Sequence, residues 1–334
     1  MAKKVVCFGE IMLRLSTPGH LRFVQARSFD ATYGGSEANV AVSLAGFGLD
    51  AYFVSKIPDN PLGQAAVNHL RGHGVRTDFI VRGGDRLGLY FLETGAAQRP
   101  SRVIYDRAGS AIAEASPEDF DWARIMEGSD WFHFSGITPA ISRSAVALTL
   151  GAAKAARAAG CTVSCDINYR EKLWSTTTAN EVLSELMQYV DVYIGNEEHA
   201  ATIFGIRPRD TGEAGYRDVA RQLMDRFGLR YVAVTRRESR SASDNAWSGM
   251  LYDGRDLYVS RKYDIHIVDR VGGGDAFAAG LIYSLLSGKD AQTALEFAVA
   301  ASCLKHTIPG DCNIVSLDEV ESLVEGDVSG RVVR

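Results

Sequence analysis

Basic residues do not outnumber acidic ones in this chain: 36 lysines and arginines face 41 aspartates and glutamates, a formal charge of −5. That balance supplies no global attraction for nucleic acid or an anionic membrane surface, so any anionic ligand must be held by local chemistry. Cysteine is scarce, with five residues at 7, 161, 165, 303 and 312 and no C-x-x-C pair, which excludes a disulfide framework and a zinc ribbon. No apolar run approaches the roughly 18 residues of a membrane span. Lys3 and Lys4 before VVCF imitate a signal peptide, but Glu10 and Arg14 interrupt the apolar stretch, so the expected location is cytoplasmic. Two familiar glycine motifs are missing as well. Only Gly9 and Glu10 follow the first apolar run, where a dinucleotide fold needs G-x-G-x-x-G. The single Gly-Lys pair, Gly288 and Lys289, precedes Asp290 rather than the Ser or Thr of a P-loop. His69 and His73 could meet on one helix face, but lacking a third ligand nearby they read as a solvated face.

What is present is a rhythm. The short apolar runs KKVVCFGEIML, AYFVSKI, DWFHFSG, CTVSCDIN, DVYIGN and YVAVT alternate with helical periodicity over 37–47, 61–72, 142–159, 178–188, 213–227, 273–287 and 290–306. Such alternation predicts an α/β fold with a largely parallel sheet covered by helices. Residues 77–107 break it with short alternating runs and glycine turns. They predict an antiparallel insert that, with 11–33, projects from the main sheet as a lid. No linker or repeat divides the chain, so residues 1–334 are read as one domain.

Two glycine elements carry the chemistry. In DRVGGGDAFAAG, Gly272, Gly273 and Gly274 stand at the start of a mostly apolar helix, where unpaired N–H groups and the helix dipole favour an anion. In YGGSEANVAVSLAGFG, Gly34 and Gly35 precede a second helix, and Asn39 projects from its first turn. Two such elements more than 200 residues apart are what a two-substrate site across strand ends needs.

Gly34 to Ala41 and Asp269 to Gly280 resemble the two signatures of the ribokinase-like (PfkB) carbohydrate kinases, in the right order and separation. Arg270 and Val271 stand where small polar residues are usual, and Gly273 stands for alanine. The resemblance implies a ribokinase-like three-layer sandwich with a small antiparallel β-sheet lid, and ATP-dependent phosphorylation of a sugar hydroxyl. It makes Gly272, Gly273 and Gly274 the cradle of the moving phosphoryl group and Asp275 the acceptor of the hydroxyl proton. A helix N-terminus is expected to depress the Asp275 pKa, so Asp275 would chiefly orient the hydroxyl and take its proton late.

GLYFL at 88–92, YDRAGSA at 105–111, DINYREKLW at 166–174 and KHTIPGD at 305–311 are similar to motifs of 2-keto-3-deoxygluconate kinases. By that similarity Gly35, Tyr90, Tyr105, Arg107, Arg170, Asp275 and Asp311 would hold an acidic sugar. Arginine suits this role, because its planar fork of donors matches a carboxylate. Asn168, Tyr169 and Arg170 would border the nucleotide phosphates. Thr235, Arg236, Arg237, Glu238, Ser239 and Arg240, a basic run, would follow the ATP, whose terminal phosphates would meet Gly272 and Gly274. Mg²⁺ would enter with the ATP. The family's N-x-x-E element reads NEEH here, with His199 in the glutamate position, so no direct metal ligand is assigned. A kinase for a neutral sugar such as fructose or ribose is the alternative, with Arg107 and Arg170 then structural or phosphate-facing. The exposed edges of a lid sheet predict a homo-oligomer joined lid to lid.

Overall fold

A computed structural model describes residues 2–327. The first apolar run becomes the strand Lys4–Phe8, on which Val5, Val6, Cys7 and Phe8 are all fully buried. Burial of every side chain in a strand requires cover on both faces. Val5 and Cys7 pack beneath the helices Ser36–Gly46, Pro61–Gly72, Gly273–Leu286 and Ala291–Lys305. Val6 and Phe8 pack beneath Arg143–Ala158, Thr176–Leu186 and Gly212–Phe227. Each such apolar side chain contributes on the order of 1.5 to 3 kcal/mol, so the alternation along five residues holds a three-layer sandwich together.

Seven strands run parallel in the order Ile80–Arg82, Asp50–Ile57, Lys4–Phe8, Trp131–Ser135, Thr162–Asp166, Val192–Asn196 and Tyr231–Ser239. Beyond the last, Asp244–Tyr252 pairs antiparallel and carries Leu257–Val259 and Tyr263–His266. The chain begins on Lys4–Phe8, builds to one side, then returns to build on the other. The strand order therefore reverses at Lys4–Phe8, and ligand crevices form outside the C-terminal strand ends at such a reversal.

A second sheet follows the order Asp30–Gly34, Met12–Ser16, Gly88–Glu93, Arg102–Asp106. Its outer pairs are antiparallel as expected, but its central pair is parallel, because Met12–Ser16 and Gly88–Glu93 both leave the body in the same direction. The insert expected over 77–107 also divides. Ile80–Arg82 joins the main sheet beside Asp50–Ile57, since Ile80 and Val81 find packing partners there, and the second sheet takes up the chain again only at Gly88.

Two buried ionic knots fix this small sheet to the body. Arg14, 4% exposed, donates to Asp311 Oδ1 at 2.6 Å and to Asp269 Oδ2 at 2.5 Å, and its Nε donates to Ser16 at 2.7 Å. Burial opposes the Arg14 charge, but Asp311 and Asp269 outweigh it and hold the guanidinium pKa above its ordinary value. The second knot joins Arg107 to Glu10, which also accepts from Ser110 Oγ at 2.7 Å. Removing one side of a buried pair strands the other charge, which costs roughly 3 to 5 kcal/mol. Arg14→Met is therefore expected to lower unfolding free energy by about that amount; a urea midpoint within error of the wild type would contradict the bridging role.

Candidate active site

The strand ends and the small sheet enclose a cavity of about 570 Å³. Its floor is made by the two glycine-preceded helices. Helices starting at Pro61, Arg143, Thr176, Ala291 and Leu317 are capped by side chains of Asn60, Ser142, Ser175, Asp290 and Ser316. The helices Ser36–Gly46 and Gly273–Leu286, preceded by Gly35 and Gly272, have no side-chain cap. Apart from the Gly273 N–H, which donates to the Arg270 carbonyl at 3.4 Å, their first N–H groups are open to a ligand. Close approach explains both glycines. A Cβ on Gly35 would collide with the Glu10 carbonyl, and one on Gly272, whose φ is +84°, would collide with the Asp311 carbonyl.

Asp275 locks the two helices together. Ser36 Oγ donates to its Oδ1 at 2.8 Å and Asn39 Nδ2 to its Oδ2 at 2.7 Å, across more than 230 residues of sequence. Both oxygens keep a free lone pair for a further donor. The expected depression of the Asp275 pKa does not occur. Burial raises it above the ordinary aspartate value, and the bonds from Asn39 and Ser36 only partly offset this. A raised pKa makes Asp275 a better proton acceptor than the helix dipole alone would allow.

A second carboxylate, Asp166, ends the strand Thr162–Asp166 and lines the same cavity. Its pKa is pushed up to about 7, first by burial and then by Asp275. Asp166 Oδ1 accepts the Asn168 N–H at 3.1 Å, which turns Asn168 into a left-handed conformation with φ +33°. That turn brings Asn168 within 3.4 Å of Ser36 Oγ, with Tyr169 and Arg170 also on the cavity. Arg170 is exposed and has no side-chain partner among the described residues, and its charge partly offsets the rise in the pKa of Asp166 and Asp275.

Of the residues singled out from the sequence, Gly35, Tyr90, Tyr105, Arg107, Asn168, Tyr169, Arg170, Thr235, Arg237, Gly272, Gly274, Asp275 and Asp311 meet around this cavity. Gly273 lies in the turn itself, packed on the His306 ring. Arg236, Glu238, Ser239 and Arg240 do not line it. On the strand Tyr231–Ser239, Arg236 and Glu238 alternate with Thr235 and Arg237 and turn away, Arg236 bonding Glu197 at 3.0 Å and Glu238 pairing with Lys262 at 3.2 Å; Ser239 ends the strand and Arg240, beyond it, pairs with Asp264 at 2.7 Å. Arg270, expected beside the phosphate turn, does line the cavity with Arg237. Desolvation, then the neighbouring Arg270 charge, lowers the Arg237 pKa.

Several participants escaped sequence reasoning. Asp166 was hidden within an apolar strand, Glu10 looked like a surface break after the first strand, and Arg14 alternates with apolar residues as a solvent-facing residue would. Glu10 pairing to both Arg107 Nε and one terminal nitrogen is a further surprise, because it leaves Arg107 only part of its fork for a ligand. The His69–His73 pair is not a solvated face. His69 packs on Tyr33 and His73, and its Nε2 lies 3.5 Å from Cys312 Sγ, so burial holds its pKa near 4. All five cysteines are free and buried. Among the described residues no helix is long and apolar enough to cross a membrane.

The Asp166 shift has a measurable sign. A carboxyl whose folded pKa lies above its unfolded value stabilises the fold below about pH 4, and that contribution is lost as pH rises toward 7. Asp166→Asn, which keeps an acceptor for the Asn168 N–H, is expected to be more stable than wild type at pH 8 by on the order of 2 to 4 kcal/mol. The difference should vanish below pH 4. Equal melting temperatures at pH 8 would contradict it.

The profile described as "pfkB family carbohydrate kinase" matches residues 2–317. The chain is similar to the crystal structure of 2-dehydro-3-deoxygluconokinase from Thermotoga maritima, with 54% identity and a TM-score of 0.96, covering 98% of this chain and 99% of that one. It is 36% identical over 332 residues to a 2-dehydro-3-deoxygalactonokinase of Haloferax volcanii, covering 99% of each chain. It is 31% identical over 317 residues to a 2-dehydro-3-deoxygluconokinase of Thermoproteus tenax, covering 92% of this chain and 89% of that one.

Proposed function

The chain belongs to the pfkB family of carbohydrate kinases, and from that premise we propose that it transfers the terminal phosphoryl group of ATP to the terminal hydroxyl of 2-keto-3-deoxygluconate, giving 2-keto-3-deoxy-6-phosphogluconate and ADP. The observation that carries the reading is the Asp275 carboxylate, held by Ser36 and Asn39 at an uncapped helix N-terminus, on a cavity that also holds Tyr105, Arg107 and Arg170. The 54% identity to a kinase named for this substrate supports it.

In this reading the sugar lies under the small sheet. Its carboxylate meets the remaining terminal nitrogen of Arg107 and the Tyr105 phenol, while its hydroxyl chain runs past Gly35 and the Tyr90–Asp311 pair toward Asp275. Tyr90 donates to Asp311 Oδ2 at 2.5 Å, so Asp311 remains an acceptor already oriented for a sugar hydroxyl. Asp275 orients the attacking hydroxyl and takes its proton as the bond to phosphorus forms; the bridging oxygen leaves with ADP. The N–H groups of Gly272 to Asp275 receive the charge on the transferred group, and Arg170, Arg237 and Arg270 flank the phosphate chain. Mg²⁺ bound with ATP would neutralise its phosphate oxygens. Glu198 fits it, as an oxygen donor on the cavity with no side-chain partner among the described residues, whereas His199 accepts the Asn196 N–H through Nδ1. A carboxylate acting through water suits an ion that dehydrates reluctantly.

The Glu10–Arg107 pair favours a second reading, a kinase for a neutral sugar such as fructose or ribose, because Glu10 already balances the Arg107 charge. An ADP-release assay across keto-deoxy acids and neutral hexoses separates the two. The keto-deoxy acid is expected to give the highest kcat/KM, and Arg107→Met to lower it for the acid alone; equal losses on every sugar would sink the carboxylate role. Asp275→Asn is expected to lower kcat by roughly 10²-fold to 10⁴-fold with little change in ATP affinity. Association of two copies through the small sheet is part of the proposal, supported by exposed Phe29 and Ile104 and by its open edge strands.

A further inference from the structure

Lys305 ends the helix Ala291–Lys305 and is fully buried. A lysine so placed needs a reason, since ordering and desolvating an ammonium is costly. Its Nζ donates to two carbonyl oxygens, Ile308 at 3.2 Å and Asp269 at 3.4 Å. Its Cε comes within 3.2 Å of the position a Cβ on Gly272 would take. The ammonium thus ties the segment after its own helix to the strand-side entry of the glycine turn. Asp269 and Asp311 are both already bonded to Arg14. Two cations and two anions therefore share one buried cluster, and their charges cancel only when Lys305 is counted. Without it, Arg14 alone would face both carboxylates beneath the glycine turn. Burial lowers the Lys305 pKa, and the Asp269 and Asp311 charges oppose that fall.

We propose that Lys305 is a positioning residue for phosphoryl transfer: its buried ammonium holds the 269–272 turn and neutralises the acids beneath it, so that the turn's N–H groups can accept the negative charge of the moving group. This rests on the reading of Gly272 to Asp275 as the phosphoryl cradle. The charge should matter most where charge develops, so its effect belongs to kcat more than to ground-state binding.

Lys305→Gln tests it, because the amide can still donate to the two carbonyls but carries no charge; Lys305→Met removes both. Calorimetric titrations would measure binding of ADP with Mg²⁺ and sugar, with and without aluminium fluoride as a mimic of the transferred group. The expected result for Lys305→Gln is a melting temperature near wild type, an unchanged KM for the sugar, and kcat lower by roughly tenfold to a hundredfold, somewhat below the cost of deleting a direct oxyanion donor. The extra affinity conferred by aluminium fluoride should shrink by the same factor. Should Lys305→Met fail to fold, Lys305→Gln still decides. A folded Lys305→Gln enzyme with kcat within threefold of wild type, or with the aluminium fluoride gain intact, would overturn the proposal. If wild type itself gains nothing from aluminium fluoride, the cradle reading fails, and the role of Lys305 with it.

Discussion

One buried arginine links the three parts on which everything else depends. Arg14 comes from the small sheet, Asp269 from the entry to the Gly272–Gly274 turn, and Asp311 from the segment that closes behind it. A planar guanidinium can bond two carboxylates in fixed directions at once, which a lysine in that place could not. The bridge therefore sets the distance between the small sheet and the glycine turn, and with it the width of the cavity between them. Tyr90, reaching Asp311 from the neighbouring strand, adds a second tether at the same acid.

Around that bridge the chain solves a conflict between charge and burial. Catalysis of phosphoryl transfer calls for bare N–H groups and a carboxylate in a space shielded from water, and each is unfavourable to bury alone. The two glycine helices resolve this together. Each leaves its first turn uncapped, and the acid on one is satisfied by the hydroxyl and amide on the other. Because Asp275 is buried rather than solvated, desolvation outweighs the helix dipole, and its basicity rises instead of falling. Asp166 adds a second negative charge to the same space, and exposed Arg170 faces both.

The relation to the Thermotoga maritima enzyme extends over nearly the full length of both chains. The two knots that anchor the small sheet, Arg14 with Asp269 and Asp311 and Arg107 with Glu10, lie within the segment matched to the pfkB family. They give a physical reason why the small sheet is held against the cavity at the C-terminal ends of the parallel strands. Ionic contacts buried between the small sheet and the body define direction as well as distance, whereas apolar contacts alone, here Met12, Tyr90 and Leu92 against Val103 and Val271, allow sliding.

Much of this was legible from local pattern. Alternating apolar runs and helical periods identified the parallel sheet and its helices, because burial on both faces leaves strands continuously apolar. Glycine runs before apolar helices marked two turns that border the cavity, since steric freedom is written into the residue type itself. What no local pattern could carry was the pairing of charges. Arg14 with Asp311, Glu10 with Arg107, Lys305 beneath Gly272 and Asp166 beside Asp275 join residues from 97 to 297 positions apart in the cases where a bond is formed, and a charge in sequence has no partner until the chain folds. The same holds for Thr235 to Arg240, where composition indicated a basic run but only its place in the folded chain decided that Thr235 and Arg237 face the cavity. Residue type determined what each group can do; tertiary structure alone decided which charge it meets, and therefore its protonation, its orientation and its use.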